Sequence, residues 1–234
     1  MLEIACFTAS SAITAAHSGA HRLELCTNYS AGGTTPSMPT LLAIRKVIPN
    51  IPINIMIRPR AGNFYYSTAE FEAMRHAIAQ FATLASGFVF GILDANGHVD
   101  VARNSELVDI AAPLPCTFHR AVDVVADLNE AVEMVIACGF KSVLTSGGEK
   151  TAEEGVQRVK GMQEKFGKRV SLVLGGGIRS GNAERLKRRA GVEWMHSAAI
   201  TGEGEEVDGE EVKKMLEVLS MEGNAVGESQ DMGD

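Results

Sequence analysis

The sequence is poor in cysteine, with 4 in 234 residues, at Cys6, Cys26, Cys116 and Cys138. None is spaced as CxxC or as a zinc-ligand set, which argues against a disulfide framework and a structural zinc site, and fits a reducing compartment where thiols stay free. Positive charge is also in deficit: 22 Lys and Arg face 29 Asp and Glu, leaving a net charge of −7 and a pI near 5.4. A surface that tracks phosphates needs clustered Lys and Arg, so general affinity for nucleic acid or an anionic membrane is not expected, although local basic spots are compatible with the totals. Long apolar runs are missing as well. No stretch approaches the roughly 20 residues of a membrane span, and MLEIACFTAS has no basic region followed by a long apolar one. The chain therefore reads as soluble and intracellular, and its 45% apolar content supports a sizeable packed core.

What the sequence does contain is an alternation of short β-branched runs with longer helical ones. The strand candidates are residues 2–7, 22–26, 53–58, 87–93, 114–119, 142–146, 170–174 and 192–196. Helical periodicity marks 10–18, 37–48, 68–86, 100–111, 127–138, 151–166, 180–190 and a last segment near 208–220. Ser67-Thr68-Ala69-Glu70 and Thr151-Ala152-Glu153-Glu154 read as helix starts, and Gly19, Gly139 and Gly191 as helix ends. Eight strand-then-helix units with short connections predict an α/β chain folded as a single-domain (β/α)8 TIM barrel, because right-handed crossovers favour parallel pairing. A doubly wound open sheet is the alternative. The barrel is assigned to residues 1–220, and 221–234, which follows the acidic GEGEEVDGEEV, is read as a flexible C-terminal tail.

Buried parallel strands are apolar on both faces, so polar residues within them mark the lumen or a site. Alternation puts Glu24 and Cys26 on one face of the second strand, and Asn54, Met56 and Arg58 on one face of the third. Glu3 shares a face with Ala5 and Phe7, or is a frayed first residue. Thr117 pairs with His119, and Trp194 with His196; the phase of the fourth strand is ambiguous. Reactive groups of such barrels gather at strand carboxyl ends. In CTFHRAVD, residues 116–123, the apolar run ends in His119, Arg120 and Asp123, an acid beside two bases that tunes proton affinity or simply faces water. Glu24, Arg58, His119 and Asp123 are therefore candidate catalytic groups, with a buried Glu24–Arg58 ion pair as the plainer reading.

Other strand ends suit an anion. Arg58-Pro59-Arg60 places two guanidiniums at a stiffened turn beside the mouth, or leaves them solvated. Gly175-Gly176-Gly177 after strand seven and His196-Ser197 after strand eight form a candidate cradle in which backbone N–H groups of Gly176 and Gly177, helped by Ser197 and the dipole of a short helix after strand eight, meet a phosphate. The same glycines also suit a tight turn. Ser146, in Thr145-Ser146-Gly147-Gly148, adds a hydroxyl, and 31–37 either contacts a ligand or caps the next helix.

Taken in order, LEIACF, GAHRLELC, GGTTPS, MIRPRAGNFYYS, FGILDANGHVD, TFHRAVD, VLTSGG, GGGI and MHSAA resemble the copper homeostasis protein family called CutC, over residues 2 to about 200. The resemblance implies a TIM barrel that is cytoplasmic and a homo-oligomer, with a proposed role in binding or trafficking a copper ion and no settled reaction. The family's proposed copper role rests largely on a cysteine pair on the first two strands. Its second cysteine matches Cys26 and its first falls on Ala5, while this chain carries a thiol one position later, at Cys6. A one-residue step turns the side chain to the other face, so Cys26 is the candidate metal ligand and Cys6 is expected to point toward the helices. Met56, His119 and His196 are possible helpers. The alternative to a copper protein is a barrel enzyme using acid/base chemistry on a small phosphorylated or anionic substrate.

Overall fold

Strands of three to five residues that are buried on both faces need cover on each side, and this chain supplies it by curling the sheet on itself beneath a ring of helices. The computed structural model describes residues 1–220; the segment read as an acidic tail, 221–234, lies outside the described residues. The elements run β1 (Leu2–Cys6), α1 (Ala9–His17), β2 (Arg22–Leu25), α2 (Met38–Val47), β3 (Ile53–Met56), α3 (Thr68–Phe81), β4 (Gly87–Phe90), α4 (Val101–Ala111), β5 (Cys116–Phe118), α5 (Leu128–Ala137), β6 (Ser142–Thr145), α6 (Ala152–Phe166), β7 (Ser171–Leu174), α7 (Ala183–Ala190), β8 (Trp194–Ser197) and α8 (Gly209–Ser220). All neighbours pair in parallel, and β8 returns to β1 with Glu3 opposite His196, which closes the barrel and rules out the open sheet.

Strand phase sorts the side chains into two cores. Leu2, Ile4 and Cys6 of β1, Leu23 and Leu25 of β2, and Ile53 and Ile55 of β3 pack outward against the helices. Each such aliphatic side chain stabilises the fold by about 1.5–3 kcal/mol. Ala5, Phe7, Cys26, Met56, Val89 and Ile200 form a separate cluster in the lumen. The ambiguous fourth strand is thereby phased: Val89 points in, Phe88 and Phe90 out.

Local chemistry sets the ends of helices. Ser67 with Glu70 and Thr151 with Glu154 form reciprocal capping boxes, each side-chain cap worth about 1 kcal/mol. Gly191 ends α7 with φ 71°. Helix α3 stops at Phe81 rather than near 86, since the chain must turn so that the Ser86 hydroxyl can accept the Ile53 N–H at 3.1 Å. The short helix expected after β8 does not form. Ala199 adopts φ 51° there, and Glu206 accepts hydrogen bonds from the hydroxyls of Thr8, Ser10 and Ser11, drawing the segment across the start of α1. Two short 3-10 turns, Tyr29–Ala31 and Arg120–Val124, occupy stretches read as loops. No helix among the described residues is long and apolar enough to cross a membrane.

Candidate functional site

The lumen opens at the carboxyl ends of the strands into a cavity of about 480 Å³. On one side of the cavity, β8, β1 and β2 bring Glu3, His196 and Glu24 together, with one ligand atom of each within 4.8 Å of the others. His196 Nδ1 donates to Glu3 Oε1 at 2.8 Å. The other Glu3 oxygen accepts from Arg22 Nε and, at 3.4 Å, from Asn54 Nδ2. Arg22 in turn lies over the Trp194 ring at 3.8 Å, so an ion pair and an aromatic plug the bottom of the barrel. Glu24 Oε1 accepts from Cys26 Sγ at 3.3 Å, while its buried Oε2 has no partner.

These groups drive one another's proton affinities apart. Burial by itself pushes Glu3 up, but the hydrogen bond and charge of His196 and the charge of Arg22 outweigh it and hold this carboxyl below its ordinary value. Burial raises Glu24, and the Glu3 charge adds to the rise; attraction to His196 only partly opposes them. For His196, burial works against the charged form, yet the two carboxyl groups prevail and raise it. The outcome is an imidazolium seated between one firmly ionised carboxylate and a second carboxyl that binds a proton more tightly than usual.

On the opposite wall, β5 presents His119, which is 4% exposed. Its Nδ1 accepts the Ala121 N–H at 3.3 Å, so the neutral ring carries its proton on Nε2, and that atom is buried without a partner. Burial, then the nearby Arg58 charge, push His119 down to about 3, so it is neutral at ordinary pH. The ring packs against Phe64 with centroids 4.8 Å apart, and Gly91 makes room for it: a Cβ there would come within 2.8 Å of Nδ1.

The mouth is cationic. Arg58 donates to the carbonyls of Ala31, Gly33 and Gly62. Arg179 donates to the Ile178 and Ile200 carbonyls and to Ser197 Oγ. Neither has a carboxylate within ion-pair distance among the described residues, so each keeps an uncancelled positive charge beside the cavity. Gly176 and Gly177 line it at φ 107° and 79°, a backbone form that only glycine adopts cheaply, and a Cβ on Gly176 would meet Ser146 Cβ at 3.1 Å.

Glu24, Arg58, His119, Cys26, Gly176, Gly177 and Ser197 therefore meet at one cavity. Three predicted residues do not. Arg60 is spent on Glu70 Oε1, the Asn63 side chain and the carbonyls of Ala61, Asn63 and Tyr65, pinning the loop before α3. Asp123 is saturated by Arg120 Nε, Thr145 Oγ1 and the N–H groups of Ser146 and Gly148, and it locks the β5 and β6 loops rather than facing His119. Ser146 Oγ is taken up in the same network, donating to the Glu149 carbonyl and accepting from Arg120. The Ser197 hydroxyl reaches the cavity but donates to the Ile178 carbonyl and accepts from Ala199 N–H and Arg179. Ala31 and Gly32 shape the mouth, and Ser37 caps α2.

Sequence reading undervalued Glu3, His196 and Arg179. Period-two alternation places Glu3 and His196 inward, but no local pattern says that residues 193 positions apart hydrogen-bond. Arg179 follows the glycines in GGIR and its direction depends on the Ser197 and Ile200 contacts.

As a copper centre the lumen offers one thiol. Cys6 packs outside the wall, donating to the Ile4 carbonyl, whereas Ala5 and Cys26 face the cavity. Burial first, and the Glu24 carboxylate next, raise the Cys26 thiol well above its ordinary value, so it is not a ready thiolate. A two-thiolate site does not fit these residues; Cys26 with the Met56 thioether is the soft-donor set available.

Comparison with known proteins agrees with the motif series. A family model described as CutC family matches residues 1–201. The chain is 41% identical to a human protein named copper homeostasis protein cutC homolog, over 85% of this chain and 73% of that one. It is 40% identical to a family protein CutC of Chromobacterium violaceum, over 85% and 81%. The crystal structure of a putative copper homeostasis protein CutC from Streptococcus agalactiae superposes with a TM-score of 0.81 at 29% identity, covering 86% of this chain and 99% of that one. A thiamine phosphate pyrophosphorylase from Pyrococcus furiosus, at TM-score 0.62 and 15% identity over 94% and 95%, shares the fold. The chain belongs to the CutC family.

Proposed function

We propose that the barrel is an acid/base enzyme for a small anionic substrate. One observation carries this reading: Glu24 and His196, the latter held from below by Glu3, line the same cavity of about 480 Å³ as two arginines without carboxylate partners among the described residues. In this scheme Arg58 and Arg179, with the amides of Gly176 and Gly177, hold the anionic group. Glu24 takes or returns a proton, since a carboxyl whose proton affinity is raised by burial is a stronger base than an ordinary one. His196, oriented through Nδ1 by Glu3, holds a second proton, and Glu3 stays ionised to steady it. His119 contributes as a neutral group, and Asp123 as a positioning residue for the β6 loop.

Mass spectrometry of small molecules released from the purified protein, read beside a metal analysis of the same sample, tests this reading. An anionic metabolite near one equivalent is expected, together with binding of inorganic phosphate that Arg179→Met weakens about tenfold. Phosphate binding that is absent, or indifferent to that change, would sink it.

A role in copper homeostasis, which the names of the human and streptococcal relatives carry, is the second reading, favoured by Cys26 and Met56 standing in the same lumen cluster. Cu(I) titration under reducing conditions of the wild type and Cys26→Ala tests it; stoichiometric binding unchanged by the substitution would eliminate Cys26 as ligand. The same kinship supports a cytoplasmic, homo-oligomeric protein, which size-exclusion chromatography with light scattering checks for its assembly.

A further inference from the structure

Three buried polar atoms of residues lining this cavity lack partners, Arg58 Nε among them, and the other two are complementary and stand on opposite walls. His119 Nε2–H is a buried donor with no acceptor; Glu24 Oε2 is a buried carboxyl oxygen with no donor. An unpartnered buried polar group has lost its hydration without a replacement, so the fold holds both at a loss that a ligand can recover. The His119 environment is built for this one task. Ala121 N–H fixes the tautomer, Gly91 leaves space for the ring, and Phe64 holds it at a tilt. With its charge suppressed, the imidazole cannot pair with an anion; it can donate one hydrogen bond to a neutral oxygen that gains charge during reaction.

We infer that the substrate is an anionic α-hydroxy carbonyl compound whose carbonyl oxygen accepts from His119 Nε2–H while Glu24 faces the adjoining C–H. This rests on the acid/base reading and names the substrate class it acts on. In the step, the Glu24 carboxylate takes the proton from the carbon next to the carbonyl. The C–H pair becomes the new C=C bond, and the carbonyl π pair moves to oxygen, where the His119 N–H meets it. Return of a proton to the first carbon completes an exchange; return to the second, with the hydroxyl proton passing to the former carbonyl oxygen, completes an isomerisation, and no oxidant or reductant is required.

Dihydroxyacetone phosphate and glycerol 3-phosphate differ at one carbon, C=O against CH–OH, and with inorganic phosphate they separate the two parts of the idea. Calorimetry on the full chain should show the ketone binding at least tenfold tighter than the alcohol, a preference lost in His119→Phe and largely kept in His119→Gln, whose amide places a donor near the same point. Proton NMR in D₂O should show the ketone C–H signals exchanging in the wild type and not in Glu24→Gln. Equal binding of ketone and alcohol, or a preference indifferent to His119→Phe in a variant whose circular dichroism is native, overturns the inference while leaving anion binding standing. Retention of every C–H proton over a day at saturation overturns the proton step. If none of the three compounds binds, the anion reading itself fails and this inference falls with it.

Discussion

Cys26 Sγ donates to Glu24 Oε1 at 3.3 Å, two residues apart on the inward face of one strand, so the lone lumen thiol and this carboxyl set each other's proton affinity. Burial and the Glu3 charge make the ionised form of Glu24 costly in this lumen.

Replacing Glu24 by Gln is expected to stabilise the fold near neutral pH while removing the carboxylate that the proposed proton step needs. Glu24 binds its proton more tightly folded than unfolded. Below the unfolded carboxyl value both states are protonated and nothing is gained. As pH rises through that value the unfolded chain ionises first, so the wild type loses stability that the variant keeps. Urea denaturation at pH 4 and pH 7.5 measures the difference; a gap that does not widen at the higher pH would contradict it.

His119 has the opposite sign. With the folded ring at about 3 and the unfolded one at its ordinary value of 6.5, both states are neutral above pH 6.5 and the contribution is complete. As pH falls, the unfolded chain accepts a proton that the native one refuses. The wild type should therefore lose about 2–3 kcal/mol between pH 7 and pH 4.5 through this group. The slope should flatten in His119→Phe, read from paired denaturant titrations at the two pH values.

Ala5 offers a gain-of-function test of strand phase. Its side chain faces the lumen beside Cys26, whereas Cys6 faces the helices. Ala5→Cys should therefore raise Cu(I) affinity at least tenfold in competition with a chromophoric chelator, because a second soft ligand joins the first. Cys6→Ala should leave Cu(I) affinity within twofold of wild type.

Asp123 should matter for stability. Its carboxylate collects donors from Arg120, Thr145, Ser146 and Gly148, so Asp123→Asn leaves donors facing an NH₂ group. A cost of about 2–4 kcal/mol is expected, seen as a lower Tm. A Tm within 1 °C of wild type, on the order of a quarter to a half of a kcal/mol at this size, would remove its structural role.

Glu24, Cys26, Arg58 and His119 were legible as lumen groups because a strand has only two faces, and leucine or isoleucine on one of them commits the other. Arg60 and Asp123 carry the same chemistry at similar strand ends, yet they were misread. A charged residue just past a strand can turn to the cavity or to its own loop, and the choice rests on partners such as Glu70 and the β6 amides, which adjacency does not reveal.

The order of residues alone determined eight βα units, the phase of β1 to β3 and the outward turn of Cys6, since periodicity and short connections are properties of a single strand or helix. Tertiary structure decided which charges meet. Closing the barrel sets β8 against β1, so that His196 finds Glu3 from 193 residues away, and folds GGIR back until Arg179 reaches Ser197. Those contacts depend on the closure of the whole ring, and burial within it sets the proton affinities of Glu3, Glu24, His119 and His196.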